Sequence, residues 1–343
     1  DAKSQRLRDL SPSNVTWRCC RGMEEDDVAR LVRKDGVDIL VELTGHTANN
    51  RLGVLAMRAA PVQATWIGYP NSTGLKECDY RITDDVTDPD PSTGRTRQTY
   101  VERLERLEGC FLCYTPSHTA PEVAALPSEI LGTFTFGTFN ALAKVTEGVV
   151  RVWCEILRRT PGSRLVIKSK PFACEDGRRR YEHLFQKHGI DAADRVDLIP
   201  LVASTEGHLA VYGHVDLALD PWPYAGTTTT CEAMYMGVPT VTLRGRCHAQ
   251  NVGHTLMKAV GLDGSGKCPS ENFVASSERE YADLAVQWAQ ESRRPELSAL
   301  RASLRDRMMT SPLCDDRGFL RNLECCLLYT SHAADEQRCV DLG

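Results

Sequence analysis

Leu219-Asp220-Pro221-Trp222-Pro223-Tyr224-Ala225-Gly226-Thr227-Thr228-Thr229-Thr230-Cys231-Glu232-Ala233 is the stretch on which the fold turns. The apolar run Val215-Asp216-Leu217-Ala218-Leu219 before it reads as a buried strand. Two prolines then stiffen a loop, and four threonines lead into a helix. Small hydroxyls and unpaired N–H groups at a helix N-terminus form a seat for a phosphate or pyrophosphate. After a parallel strand, that seat lies at the carboxyl edge, where open α/β sheets bind ligands. Simple N-capping needs only one threonine. Four of them after Gly226 favour an anion site.

Outward from this stretch the chain alternates strand and helix patterns. Strands are predicted at 133–139, 165–167, 196–199, 215–219 and 239–243, with helices between them at about 149–157, 178–188, 206–212 and from 228. Helices at 278–289 and 296–308 close this half. Five strand units in this order predict a doubly wound α/β domain. Toward the N-terminus, Val28, Leu31 and Val32 mark a helix, Val37-Asp38-Ile39-Leu40-Val41 a strand, and 50–58 a second helix. Further strands follow at 62–67 and 80–83, the spacing of a parallel βαβ unit. Residues 114–128, with several Pro and Ala and little periodicity, read as a linker. There is no tandem repeat.

Composition agrees with two domains: 343 residues, 42% hydrophobic and 25% charged, against a soft expectation of ~150 residues per domain. Mean hydropathy is -0.32. No apolar run approaches the ~18 residues of a membrane span, and Asp1-Ala2-Lys3-Ser4 resembles no signal or transit peptide. The net charge of -5 supplies no field toward nucleic acid or anionic lipid. Neither a membrane nor nucleic acid is therefore an expected partner. The missing initiator Met suggests a fragment, and residues 327–343 read as a non-native tail.

The fourteen cysteines include one C-x-x-C, Cys110-Phe111-Leu112-Cys113. A structural zinc site generally needs a second such pair, so no metal is expected. The apolar spacer suggests a strand with buried thiols, and scattered free cysteines suit a reducing compartment. Gly261-Leu262-Asp263-Gly264-Ser265-Gly266-Lys267 has the spacing of a phosphate-binding loop. Cys268 stands where Ser or Thr is needed, and a helical pattern precedes it, so it reads as a glycine-rich helix terminus.

Three further candidates flank the crevice. Lys144, shortly after the strand at 133–139, is placed to neutralise a departing diphosphate, or is a solvated surface lysine. His208 precedes the strand at 215–219 and is able to reach the same edge, although a lone histidine is more often structural. In the other half, Glu42 and His46 sit at a strand end, where acid–base chemistry and a polar network are equally good readings.

Several motifs in order carry a resemblance. They are residues 37–74, Cys110 through Pro116, Phe136 through Lys144, Lys168-Ser169-Lys170-Pro171-Phe172, Tyr224 through Glu232, and His248-Ala249-Gln250-Asn251-Val252-Gly253. Over residues 1–326 the chain resembles the SPINDLY-type branch of the O-linked N-acetylglucosamine transferase family, glycosyltransferase family 41. The resemblance implies a glycosyltransferase-B fold, two Rossmann-like lobes facing a cleft, with lobes at 1–125 and 126–326. It places the first strand and helix of the first lobe before Asp1 and has residues 311–323 pack back on that lobe. It also implies tetratricopeptide repeats, absent here, in the whole protein.

By position, the resemblance assigns Lys144 to the donor diphosphate, His208 to the nucleotide, Gly226, Thr227, Thr228 and Thr229 to the phosphate seat, and Glu232 to the ribose. Glu42 and His46 fall on the acceptor side. Where the uridine-dependent members carry His-Thr-Thr, this chain has Thr227-Thr228-Thr229, and Ala141 replaces a glutamine. These departures agree with members that resemble GDP-fucose-dependent protein O-fucosyltransferases. The implied reaction is inverting, metal-independent and cofactor-free transfer to Ser or Thr of nuclear and cytosolic proteins. UDP-N-acetylglucosamine is the alternative donor, and a catalytically silent sugar-nucleotide-binding scaffold is the non-enzyme alternative.

Overall fold

The computed structural model describes residues 15–341 apart from Lys267, together with Gln5, Arg8 and Asp9, with side chains described as far as Leu328. Two parallel sheets organise the chain. The first runs β1 (Ile39–Glu42), β2 (Val62–Trp66), β3 (Tyr80–Asp84) and β4 (Arg103–Leu107), paired in that order. The second comprises β5 (Thr135–Thr138), β6 (Arg164–Lys168), β7 (Val196–Ile199), β8 (Leu217–Leu219), β9 (Thr240–Leu243) and β10 (Val274–Ala275), in the order β10-β9-β8-β5-β6-β7. Every pairing is parallel. The chain walks outward from β5 to β7, then returns to the other side of β5 for β8. That reversal leaves a crevice at the carboxyl ends of β5 and β8.

The helices are α1 (Glu25–Lys34), α2 (Leu52–Ala56), α3 (Pro127–Leu131), α4 (Glu147–Arg159), α5 (Glu175–Lys187), α6 (Ala192–Arg195), α7 (Thr205–Ala210), α8 (Thr228–Tyr235), α9 (His248–Ala259), α10 (Glu278–Trp288), α11 (Arg294–Met309) and α12 (Asp316–Asp341). The stripe predicted for α4 is buried throughout: Val149, Val150, Trp153, Ile156 and Leu157. Thr146 caps this helix by accepting from the Val149 N–H at 3.3 Å, and Arg158 and Arg159 close it against the macrodipole. Core side chains cover both faces of the second sheet. Trp153, Phe136 and Leu217 belong to the larger cluster; Phe139, Leu209, Tyr212 and Val238 belong to the smaller.

The first sheet buries Val62, Ala64, Tyr80, Ile82 and Leu107 beneath Phe319 and Leu323 of α12, and Trp66 stacks on Phe319 at 5.7 Å. The C-terminal helix thus returns to the first sheet, as expected for 311–323.

One strand reading is corrected, and strands β4 and β10 were not predicted. Cys110-Phe111-Leu112-Cys113 is not a strand, because Gly109 turns the chain at φ +87 and the Phe111 N–H donates to Asp84 Oδ2 at 2.8 Å instead of to a ladder partner. Cys110 is nevertheless buried, and burial pushes its thiol up to about 12, while Cys113 is half-buried. Strand β4, Arg-Leu-Glu-Arg-Leu, is an edge strand with charged residues at Arg103, Glu105 and Arg106, so it lacks an apolar run.

The 261–266 segment follows α9 as a helix terminus. Gly261 takes φ +71, and Arg307 donates to the carbonyls of Val260 and Gly261, each at 2.7 Å. Lys267, the lysine of the apparent phosphate-loop motif, lies outside the described residues.

The sheets are joined at the start of α9. His248 donates from Nδ1 to Asp88 Oδ2 at 2.7 Å, and its backbone N–H donates to Gln98 Oε1 at 2.7 Å. Thr255, two turns on, donates to Asp84 at 2.8 Å. Burial holds His248 below the usual histidine range against the pull of Asp88. Burial also opposes the charge on Asp88, but the hydrogen bonds from His248, Thr83 and Tyr100 outweigh it and hold the carboxyl low. A neutral imidazole facing a carboxylate is the state this seam prefers.

Candidate active site

The crevice between β5 and β8 gathers residues from three connections. A short 3-10 turn, Leu142–Lys144, follows β5 and carries the lysine inward. Lys144 Nζ donates to the carbonyl of Ala225 at 2.7 Å and lies 3.9 Å from the centre of the Tyr224 ring. Burial lowers its pKa, and Asp220 pulls the other way. Asp220 directly follows β8. Its carboxyl accepts from the Gly226 N–H at 2.6 Å and from Thr242 Oγ1 at 2.8 Å, so it draws the Tyr224 loop tight over the strand end. Burial raises its pKa to about 7, while the bonds from Gly226 and Thr242 and the charge of Lys144 act in the opposite sense.

Gly226 is required here by space. A Cβ would come within 2.6 Å of Thr229 Oγ1, 2.7 Å of Thr230 Oγ1 and 2.9 Å of Asn140 Oδ1. Thr229 in turn donates to Asn140 at 3.0 Å, which ties α8 to the end of β5. Thr227 occupies the N-cap position of α8 without a side-chain cap bond. The Thr230 N–H donates to the Thr227 carbonyl at 3.1 Å, so within the first turn the N–H groups of Thr228 and Thr229 are the ones that the helix itself does not satisfy and no side chain of Thr227 caps. A lysine ammonium and a helix N-terminus together suit a diphosphate that gains charge as it departs.

Beyond the start of α8, His208 on α7 bridges two elements. Its Nε2 lies 2.9 Å from Glu232 Oε2 on α8, and Lys168, the last residue of β6, donates to its Nδ1. With Nδ1 accepting from an ammonium, Nε2 carries the proton and donates to the carboxylate. Burial lowers the pKa of Lys168, with Glu232 opposing, and its ammonium lies 4.9 Å from the Phe139 ring centre. The Phe139 and Tyr212 rings pack beside it with centres 4.2 Å apart and planes inclined by 37°. This chain of a cation, an imidazole and a carboxylate over aromatic rings suits a ribose and base.

Across the cleft, Glu42 and His46 do different things. The Glu42 carboxylate, 9% exposed, accepts from the N–H groups of Thr44 and Gly45 and from the hydroxyls of Thr44 and Thr65. It holds the turn after β1, and its lone pairs are spent there. His46 is exposed, donates from Nε2 to the Thr73 carbonyl at 2.8 Å, and sets its ring edge-on to Tyr69 at 5.3 Å. That bond leaves Nδ1 as its basic nitrogen. A cavity of about 800 Å³ lies between the lobes, with Thr47, Tyr69 and Asn71 on one wall and Tyr224, Ala249 and Gln250 on the other.

Asp220, Lys168, Asn140 and Tyr224 were not singled out from the sequence. Asp220 and Tyr224 stand within the decisive stretch itself. Lys168 ends β6 and Asn140 follows β5, so examining the carboxyl end of every predicted strand would have found both. Among the described residues, no group of three or more His, Cys, Asp or Glu is placed to hold a metal ion, and no helix is long and apolar enough to cross a membrane.

The family described as Glycosyl transferase family 41 matches residues 14–119 and 117–323. The chain belongs to that family. The SPINDLY protein of Petunia hybrida, named as a probable UDP-N-acetylglucosamine--peptide N-acetylglucosaminyltransferase, is 50% identical over 325 residues, which is 94% of this chain and 33% of that protein. This family 41 chain thus spans about a third of the length of the curated relatives it matches. Among solved structures, a single-residue mutant of the Thermobaculum terrenum O-GlcNAc transferase superposes with a TM-score of 0.86 at 31% identity, covering 98% of this chain and 61% of that one. Anabaena HepE, solved with UDP and glucose, superposes at 0.55 with 13% identity, covering 95% and 89%. It speaks for the fold alone. The fold is glycosyltransferase-B.

Proposed function

We propose that this chain is the catalytic part of a protein O-glycosyltransferase that moves fucose from GDP-fucose to Ser or Thr hydroxyls of nuclear and cytosolic proteins, with inversion and without a metal. The observation that carries the transferase reading is the meeting of Lys144 with the uncapped start of α8 across Ala225. Positive charge is preorganised where a nucleoside diphosphate would leave, in a crevice that costs little reorganisation. His208 and Glu232 hold the nucleoside end. His46, with its free Nδ1 on the facing lobe, is the candidate for taking the acceptor's proton.

The fucosyl reading rests on Thr227 and Ala141, which stand where uridine-dependent members carry a histidine and a glutamine. Transfer of N-acetylglucosamine from its UDP donor is the second reading, favoured by what the names of the SPINDLY relatives say of those proteins. Guanine offers an N1–H and a 2-amino group that uracil lacks, and a site built to bond them rejects a base without them. Calorimetric titration of the full-length protein is expected to show GDP binding at least ~10-fold tighter than UDP, a gap of about 1.4 kcal/mol. Tighter UDP would move the assignment to N-acetylglucosamine. Nucleotide binding with no turnover of either donor would mark a silent scaffold.

A further inference from the structure

Two short segments, Arg95-Thr96-Arg97 from the β3–β4 connection and Arg244-Gly245-Arg246 after β9, meet at the seam between the lobes. The Arg97 N–H donates to the Arg246 carbonyl at 2.9 Å, and the Arg246 guanidinium donates to the Gly94 carbonyl at 2.9 Å. These bonds hold the two segments, with their four arginines, side by side. All four arginines are exposed, and among the described residues none of them has an ion-pair partner.

Two cavities open on this cluster. The interlobe cavity of about 800 Å³ is bordered by Arg97 and Arg246. A neighbour of about 240 Å³ is bordered by Arg95, Arg244 and Arg246, with His254 and Ser276. No residue lining either cavity is acidic. Carboxylates adjoining the linings are bonded to other groups: Asp88 pairs with His248, Asp90 accepts from the Ser92 N–H, Asp263 accepts from Ser265, and Glu280 accepts from the Ser276 N–H. The field reaches His254, held down at about 4 first by burial and then by Arg244, with Arg95 contributing. In a chain of net charge -5, four neighbouring exposed guanidiniums without an ion-pair partner make a local positive patch open to an anion.

The larger cavity also reaches Tyr224, whose ring packs on Lys144. A polypeptide that presents a hydroxyl beside Lys144 would therefore lay its flank along the arginines. We propose that the Arg95–Arg97 and Arg244–Arg246 seam is an acceptor-recognition site for an acidic stretch flanking the modified Ser or Thr. The inference rests on the reading of the chain as a protein transferase. Guanidinium forks pair carboxylates bidentately, so the site selects acceptors by charge, apart from the diphosphate seat.

The test uses the full-length protein with GDP present and two fluorescein-labelled peptides that share one Ser/Thr core. One peptide is flanked by Asp and Glu, the other by Asn and Gln, and binding is read by anisotropy. The acidic peptide is expected to bind at least ~10-fold tighter, with the advantage shrinking as salt rises. The preference should fall to under ~2-fold when all four arginines are changed to Gln, and part-way in Arg97→Gln alone. Equal binding of the two peptides by the unmodified protein overturns the proposal. So does a preference kept by the fourfold variant, or tighter binding of a single-stranded RNA oligonucleotide than of the acidic peptide. Absence of GDP and UDP binding in parallel titrations counts instead against the transferase reading.

Discussion

His208 Nε2 lies 2.9 Å from the Glu232 carboxylate while Lys168 holds Nδ1 of the same ring, so a strand end and two helices share one imidazole. The lysine fixes which nitrogen carries the proton. In Lys168→Met that tautomer is no longer enforced and Glu232 loses an oriented donor. Affinity for the nucleoside diphosphate should weaken roughly tenfold, the size expected for a hydrogen bond to a charged group. Lys168→Arg should recover part of it. Calorimetry reads both variants, and an unchanged Kd in the Met variant removes Lys168 from the nucleotide site.

Lys144→Ala removes the donor to the Ala225 carbonyl and, on the proposed function, the ammonium beside the departing diphosphate. Charge that matters most as the bond breaks is felt in kcat more than in binding. Turnover should fall ~100-fold or more, with a modest loss of donor affinity. Steady-state kinetics on the full-length protein decide this, and near-normal kcat would dismiss the lysine from the chemistry.

Asp220 gives a pH dependence with a defined sign. Its folded pKa, about 7, lies above the ordinary 3.8 because burial penalises the carboxylate. Between those values the folded state holds the proton more firmly than the unfolded chain. This contribution to stability is complete below the unfolded pKa and is lost as pH rises through about 7. Asp220→Asn keeps an acceptor for the Gly226 N–H and removes the titration. The urea midpoint of the unmodified protein should therefore fall relative to the Asn variant from ~pH 4.5 to ~pH 8, then run parallel above it. Parallel curves throughout would place the Asp220 pKa in the ordinary range.

If Lys144 and the start of α8 supply the positive charge at the leaving group, as proposed, transfer should survive chelation. Activity assayed with and without EDTA is expected to agree within error. Loss in EDTA, restored by magnesium or manganese, would overturn this account of the leaving group.

Local pattern determined much of this protein. The apolar runs at 165–167, 196–199 and 239–243 are strands, the α4 stripe is buried throughout, and the threonine run opens α8 beside a parallel strand end. These features are legible because periodicity records which side of a local element is buried, and because strand ends in parallel sheets are binding edges by construction. Tertiary structure decided the rest. Only pairing with β3 makes a strand of Arg103–Leu107, whose charges hide it from any apolar count. Only the turn at Gly109 takes Cys110 out of a ladder. Lys168, His208 and Glu232 are 40 and 24 positions apart, and they meet because parallel crossovers return the chain to one edge. Glu42, equally a catalytic or a structural carboxylate by sequence, is settled by the turn whose N–H groups consume it. Sequence spacing specifies what each segment buries, but which segments share a crevice is decided by the order of strands in the sheet.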